Sequence, residues 1–263
     1  MSEVRSKDGT PIALDRSGAG PPLIVVLGAL NDRSSAAPLA EALASHFTVY
    51  AYDRRGRGDS GDTPPYAVVR EIEDIDALIS EAGGSAVVYG HSSGAVLALE
   101  AAARGLAIQK LALYEPPFVV DDSRPPLPDD FVATLQELAF SGRRGDAVAY
   151  FMTKGVALPA EMADQMRSAP MWPALEELAP TLAYDGMIMG DTTSGRALPS
   201  EWATSVTVPT FVMDGGESPA WQRNAVQALA DLLPQAQRRT LEGQGHDVAP
   251  EVLAPVLVEL IAG

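Results

Sequence analysis

The stretch Ser85 to Leu99, SAVVYGHSSGAVLAL, leaves the backbone few solutions. A short β-branched and apolar run (Ala86, Val87, Val88, Tyr89) meets the pentapeptide Gly90, His91, Ser92, Ser93, Gly94, and an alanine- and leucine-rich segment follows until Gly105. The pattern predicts a strand, a sharp turn and a helix. Such a turn strains its central serine and presses backbone on backbone at both sides, so positions 90 and 94 must lack a side chain. Ser92 is then expected at the carboxyl edge of a sheet, with the unpaired N–H groups and positive dipole end of a helix behind it.

At 263 residues the chain suits one large α/β domain, or a domain carrying an inserted subdomain. It has no cysteine, which removes disulfides, thiolate nucleophiles and cysteine metal sites from consideration. The formal charge of −16, from 19 basic against 35 acidic residues, disfavours a nucleic-acid partner, because phosphate recognition needs clustered Lys and Arg. The amino terminus is polar and the apolar runs are too short to span a bilayer; a soluble, cytoplasmic protein with no membrane partner is expected.

Taken in order, Ile12 to Asp15, Leu23 to Leu27 and Thr48 to Asp53 read as strands, with a helix over Ala36 to Ser45. The loop DRRGRGDSGDTPP contains a formal G-x-G-x-x-G, but it continues into prolines where a dinucleotide site needs a helix, so that reading is rejected. Its arginines are expected to pin loop carboxylates. Val68 to Ala82 is an amphipathic helix, and Ile108 to Tyr114 a strand that gives way to Glu115, Pro116, Pro117, Phe118. Alternating strands and helices imply a mostly parallel sheet, which binds ligands beyond the carboxyl ends of its strands.

Residues 118–204 are punctuated by proline and read as short helices over Asp129 to Ser141, Gly145 to Lys154, Pro159 to Ser168 and Pro173 to Tyr184. This stretch is expected to be a helical lid, leaving residues 1–117 and 205–263 as the core. Six of the eight methionines lie in it. Adaptable apolar side chains suit a pocket for a small, greasy substrate, and packing of lid on body explains them equally well. The candidate lining comprises Leu30, His91, Phe118, Tyr150, Met152, Met166, Trp172 and Met187. Strands resume at Val208 to Met213 and Gln237 to Leu241, separated by a helix over Ala220 to Leu233; a last helix carries Val252 to Ile261, in which Pro255 marks a kink or a first turn.

A serine hydroxyl needs a base within reach and a third group to fix that base's tautomer. Of three histidines, His46 sits at a helix end and His91 lies beside the serine but points along the strand. His246, in the glycine-flanked loop Gly243, Gln244, Gly245, His246, Asp247, is the candidate base. No H-E-x-x-H is present and the histidines are widely separated, so neither metal nor cofactor is expected.

The order Ser, acid, His, with the GHSSG elbow, the DRRGRGDS loop and the GQGH loop, resembles the α/β-hydrolase fold superfamily over essentially the whole chain. The resemblance implies an eight-stranded, mostly parallel sheet with an inserted helical lid, a covalent acyl-enzyme at Ser92, and an oxyanion hole made by the backbone N–H groups of Ser93 and Ala29. Two departures stand out. The loop after the first long strand begins Leu27-Gly28 where many relatives have His-Gly, and the usual position of the acid holds Ser218. Either Asp214 or Glu217 reaches back as the acid, or the acid is Glu115 at the end of the preceding sheet strand; Glu115 is favoured over Asp214 because its strand end neighbours that of Ser92. The expected activity is cleavage of an ester, lactone or related acyl bond. Acyl transfer, cyclisation or C–C hydrolysis on the same residues stays open, as does a non-catalytic receptor for a small ligand.

Overall fold

In a computed structural model, which describes residues 2–262, eight strands form one sheet. They are β1 (Ser2–Arg5), β2 (Pro11–Gly18), β3 (Pro22–Val26), β4 (Thr48–Tyr52), β5 (Ala86–His91), β6 (Ile108–Tyr114), β7 (Thr210–Gly215) and β8 (Ala236–Leu241), in the spatial order β1-β2-β4-β3-β5-β6-β7-β8. The pairs β1–β2 and β2–β4 are antiparallel and the remaining five are parallel. The central strands read as unbroken apolar runs because helices cover both faces. On β3, Ile24 and Val26 pack toward α2 (Val68–Glu81), α3 (Ser93–Ala103) and α10 (Ala220–Leu232). Leu23 and Val25 point the opposite way, toward α1 (Ala37–Leu43) and α11 (Pro250–Ala262).

Nine of the eleven residues of α3 are buried, so the helix that follows Ser92 runs through the middle of one layer, and its alanines let neighbours approach closely. The expected elements are present with small shifts of boundary. Strand β1 escaped the sequence reading because it is an edge strand whose one buried residue, Val4, gives no periodic signal. Pro255 lies inside α11, past its first turn. No helix among the described residues is long and apolar enough to cross a membrane.

Six helices separate β6 from β7: α4 (Phe131–Phe140), α5 (Arg144–Tyr150), α6 (Ala160–Met166), α7 (Trp172–Leu178), α8 (Leu182–Met189) and α9 (Trp202–Ser205). The single helix expected over Pro173 to Tyr184 is two, joined by a 3₁₀ turn at Ala179–Thr181, where Pro180 can donate no hydrogen bond. A π-helical turn, Phe151–Gly155, continues α5. Much of the insertion packs around its own apolar cluster, which includes Phe131, Leu135, Phe151, Trp172 and Leu182.

The insertion is fastened to the body by charge. Asp185 on α8 is fully buried and accepts from Arg54 Nη1 at 2.7 Å, Arg57 Nη2 at 2.6 Å and Ser93 Oγ at 2.7 Å. Arg54 also forms a bidentate pair with Glu71, while Arg55 pairs with Asp74 and Asp8. The arginines of the glycine-rich loop thus pin carboxylates, as expected. Burial opposes ionisation of Asp185, but Arg57 and Arg54 outweigh it and hold the carboxyl below the usual aspartate range. Its contribution to stability is therefore complete above that range and is lost only as the pH falls through the lowered value.

Asp185→Ala, which leaves the buried Arg57 without a carboxylate and Arg54 with Glu71 alone, is expected to cost about 3–5 kcal/mol in urea denaturation at neutral pH. Removing the exposed Arg239–Glu259 pair should cost about 1 kcal/mol or less. Equal costs for the two changes would show that the insertion is not held by this network.

Candidate active site

Ser92 lies at the junction of β5 and α3 with φ 57° and ψ −128°, a left-handed backbone that a serine adopts only under constraint. Its amide donates to the carbonyl of Tyr114 on the neighbouring strand at 2.9 Å, and its carbonyl accepts from Ala95 N–H at 2.9 Å. The flanking glycines are required sterically. A Cβ at Gly90 would fall 2.6 Å from the Cα of Ala95, and one at Gly94 would collide with the carbonyl of Val26.

Glu115 follows β6 directly and is fully buried, again with a left-handed φ of 46°. Its Oε2 lies 2.7 Å from His246 Nδ1, and its Oε1 accepts from the Gly215 N–H at 2.8 Å. Burial alone would raise its pKa, but the His246 imidazole and the Gly215 amide hold the carboxyl below the usual glutamate value. A carboxylate on Nδ1 fixes the tautomer in which Nδ1 carries the proton and Nε2 is free to accept one. The imidazole of His246 and the side chain of Ser92 border one cavity. Ser92 Oγ makes no hydrogen bond among the described residues, and such contacts commonly tighten only when substrate arrives.

Asp214, the other candidate acid, is turned elsewhere. It accepts from Arg238 Nη2 at 2.7 Å and Thr240 Oγ1 at 2.9 Å, both on β8, which tie it to the sheet rather than to His246. Ser218, where relatives were expected to place the acid, is buried. His91 is a support. Its Nε2 donates to the carbonyl of His246 at 3.0 Å, while the Tyr114 hydroxyl donates to the carbonyl of Gly245 at 2.6 Å. The strands bearing Ser92 and Glu115 thereby grip the loop bearing His246. Burial, with the nearby His246, pushes the His91 pKa down to about 3, so this ring is neutral and keeps its role as donor at ordinary pH.

The loop after β3 passes closely under Ser92: a Cβ at Gly28 would come 2.8 Å from the Ser92 Cβ. Ala29 N–H donates to Ser93 Oγ at 3.0 Å, so this amide already has a partner within the protein. Ser93 opens α3, whose first amides have no intrahelical acceptor. Leu30 holds φ at 58°.

The cavity has a volume of about 60 Å³, and its apolar walls come from Pro117, Phe151, Val156, Met189 and Trp221. None of the eight residues expected to line it does so. Met152 and Trp172 are buried in the insertion's own cluster, where Tyr150, Met166 and Leu30 also pack. Phe118 stacks toward Trp202 in the body, Met187 is half-buried away from the cavity, and His91 lines a separate cavity of about 310 Å³ with Asn31 and Asp247. The error is one of helix phase: Phe151 and Met189 stand one and two positions from Met152 and Met187.

The sequence reading also missed Gln222 on α10. Its amide nitrogen lies 3.0 Å from Glu115 Oε2 and 2.8 Å from His246 Nδ1, and with Nδ1 protonated it donates to the carboxylate. Asp185, too, carried no signal, because its partners are more than 90 positions away in the chain.

Comparison with known proteins agrees with this architecture. The family model described as "Alpha/beta hydrolase family" matches residues 23–256. A pimeloyl-[acyl-carrier protein] methyl ester esterase of Stenotrophomonas maltophilia is 30% identical over 241 residues, covering 89% of this chain and 88% of that protein. The enzyme of the same name from Xanthomonas campestris pv. campestris is 29% identical over 240 residues, covering 89% and 90%. Among solved structures, an alpha/beta hydrolase from Sphaerobacter thermophilus superposes with a TM-score of 0.93 at 59% identity, covering 99% of this chain and 100% of that one. The enol-lactonase from Burkholderia xenovorans LB400 shares the fold, with a TM-score of 0.72 at 20% identity over the full length of both chains. The chain belongs to the alpha/beta hydrolase family.

Proposed function

We propose that this protein is a serine hydrolase that cleaves the ester bond of a small substrate through Ser92, His246 and Glu115. The observation that carries the reading is the 2.7 Å pairing of His246 Nδ1 with the buried Glu115, beside a cavity bordered by both the imidazole and Ser92. The matching relatives named as methyl ester esterases support the bond type.

His246 Nε2 takes the proton of Ser92 as its Oγ attacks the acyl carbonyl, and Glu115 stabilises the imidazolium that forms. The carbonyl oxygen gains negative charge at the amino end of α3, where the Ser93 N–H and the helix dipole favour an anion. Ala29 N–H serves as the second donor once the carbonyl oxygen competes for it with Ser93 Oγ. The imidazolium then protonates the departing alcohol. Water activated by His246 releases the acid in the second half-reaction. The insertion acts as a lid, since Phe151, Val156 and Met189 supply the outer wall of the cavity.

Ser92→Ala is expected to lower kcat for a short-chain p-nitrophenyl ester by about 10³-fold or more, and to abolish labelling by a fluorophosphonate. Retention of wild-type turnover by that variant would refute the mechanism. The two acids separate in the same assay. Glu115→Gln should cost about 10²-fold or more in kcat, whereas Asp214→Asn should leave the folded enzyme within about threefold of wild type. The reverse ranking would move the acid to Asp214.

A further inference from the structure

One buried charge near the cavity has no counter-charge. Arg124, between β6 and α4, is 7% exposed. Its Nη1 donates to the carbonyl of Gly155 at 3.0 Å and its Nη2 to that of Lys154 at 2.6 Å, and its guanidinium carbon lies 4.4 Å from the centre of the Trp221 ring. The Nε–H has no acceptor, and no carboxylate of the described residues pairs with this arginine. Burial, uncompensated by any neighbouring charge, pushes its pKa down. Every other buried arginine of the described residues is satisfied by carboxylates: Arg54 by Glu71 and Asp185, Arg55 by Asp74 and Asp8, Arg57 by Asp185.

Two carbonyls do not explain a cation. A neutral side chain can donate to both without the cost of desolvating a charge, and stacking on Trp221 offsets only part of that cost. The guanidinium lies immediately behind the cavity wall, because Gly155, whose carbonyl it holds, and Trp221, on which it stacks, both line the cavity with Ser92 and His246. No Asp or Glu side chain lines that cavity. In a chain of net charge −16, a local positive charge is what an anionic substrate group would need in order to settle there.

We propose that Arg124 anchors a carboxylate at the far end of the acyl group, so that the preferred substrates are half-esters of dicarboxylic acids rather than neutral esters. The carboxylate enters between Trp221 and Gly155, accepts the unfilled Nε–H and supplies the missing counter-charge, placing the ester at the other end of the acyl chain against Ser92. This inference rests on the esterase reading above.

The test compares methyl half-esters of linear dicarboxylic acids with the matching dimethyl esters, in wild type and Arg124→Gln, beside calorimetric binding of glutarate and adipate to both proteins. Wild type should favour the half-ester at one chain length by about tenfold or more in kcat/KM, and Arg124→Gln should bring that ratio toward one and weaken dicarboxylate binding by a similar factor. No half-ester preference in wild type, or a preference that survives in Arg124→Gln, overturns the proposal and leaves the esterase reading standing; the wild-type comparison needs no folded variant. If no ester is turned over yet dicarboxylate binding still depends on Arg124, the esterase reading fails and the anchor stands. Dicarboxylate binding that is absent from wild type, or equal in the two proteins, counts against the anchor.

Discussion

Three residues other than glycine hold a left-handed backbone at the carboxyl edge of the sheet: Leu30 in the loop after β3, Ser92 after β5 and Glu115 after β6. Each such residue costs about 1–3 kcal/mol, and it persists only where the surroundings leave no alternative. The surroundings here are adjacent parallel strands. Strand β5 lies between β3 and β6, and the Ser92 amide is bonded to the carbonyl of Tyr114, the residue that precedes Glu115. The backbone at three neighbouring strand ends therefore sets Ser92, Glu115 and the close-passing loop in fixed relation before any side chain is considered. Side-chain contacts then complete the arrangement from both strands, through His91 and Tyr114 to the carbonyls of residues 246 and 245.

The insertion is joined to this edge by a different kind of contact. Much of its apolar surface packs internally, while Phe118, Ile188 and Trp202 join the core of the body. Asp185 supplies direction, since a carboxylate between Arg54, Arg57 and Ser93 has few satisfactory positions. The same carboxylate accepts from Ser93 Oγ, which in turn accepts from Ala29 N–H. The insertion and the Ala29 amide thus share one hydrogen-bonded chain through Ser93.

How much of this could be read from the residues follows from how local each signal is. Gly90, Ser92 and Gly94 constrain one another within five positions, so the elbow was legible. His246 stood out because only three histidines compete for the role. Which carboxylate meets His246 depends on neighbours remote in sequence: Arg238 and Thr240 occupy Asp214, while Gly215 and Gln222 hold Glu115 beside His246. The cavity walls were the least legible. In short helices broken by a 3₁₀ turn and a π turn, the face that meets the cavity depends on where each break falls, and a shift of one or two residues exchanges Met152 for Phe151 and Met187 for Met189.

The solvent exposure of His246 bears on which acyl acceptor the proposed mechanism would use. Glu115 is sealed from solvent, but the His246 side chain is 30% exposed. Water can therefore reach the imidazole beside the cavity that Ser92 also borders. Acyl transfer to another nucleophile requires the reverse, a site in which water is excluded until the second substrate is bound. The exposed imidazole favours water as the acceptor, and hence hydrolysis.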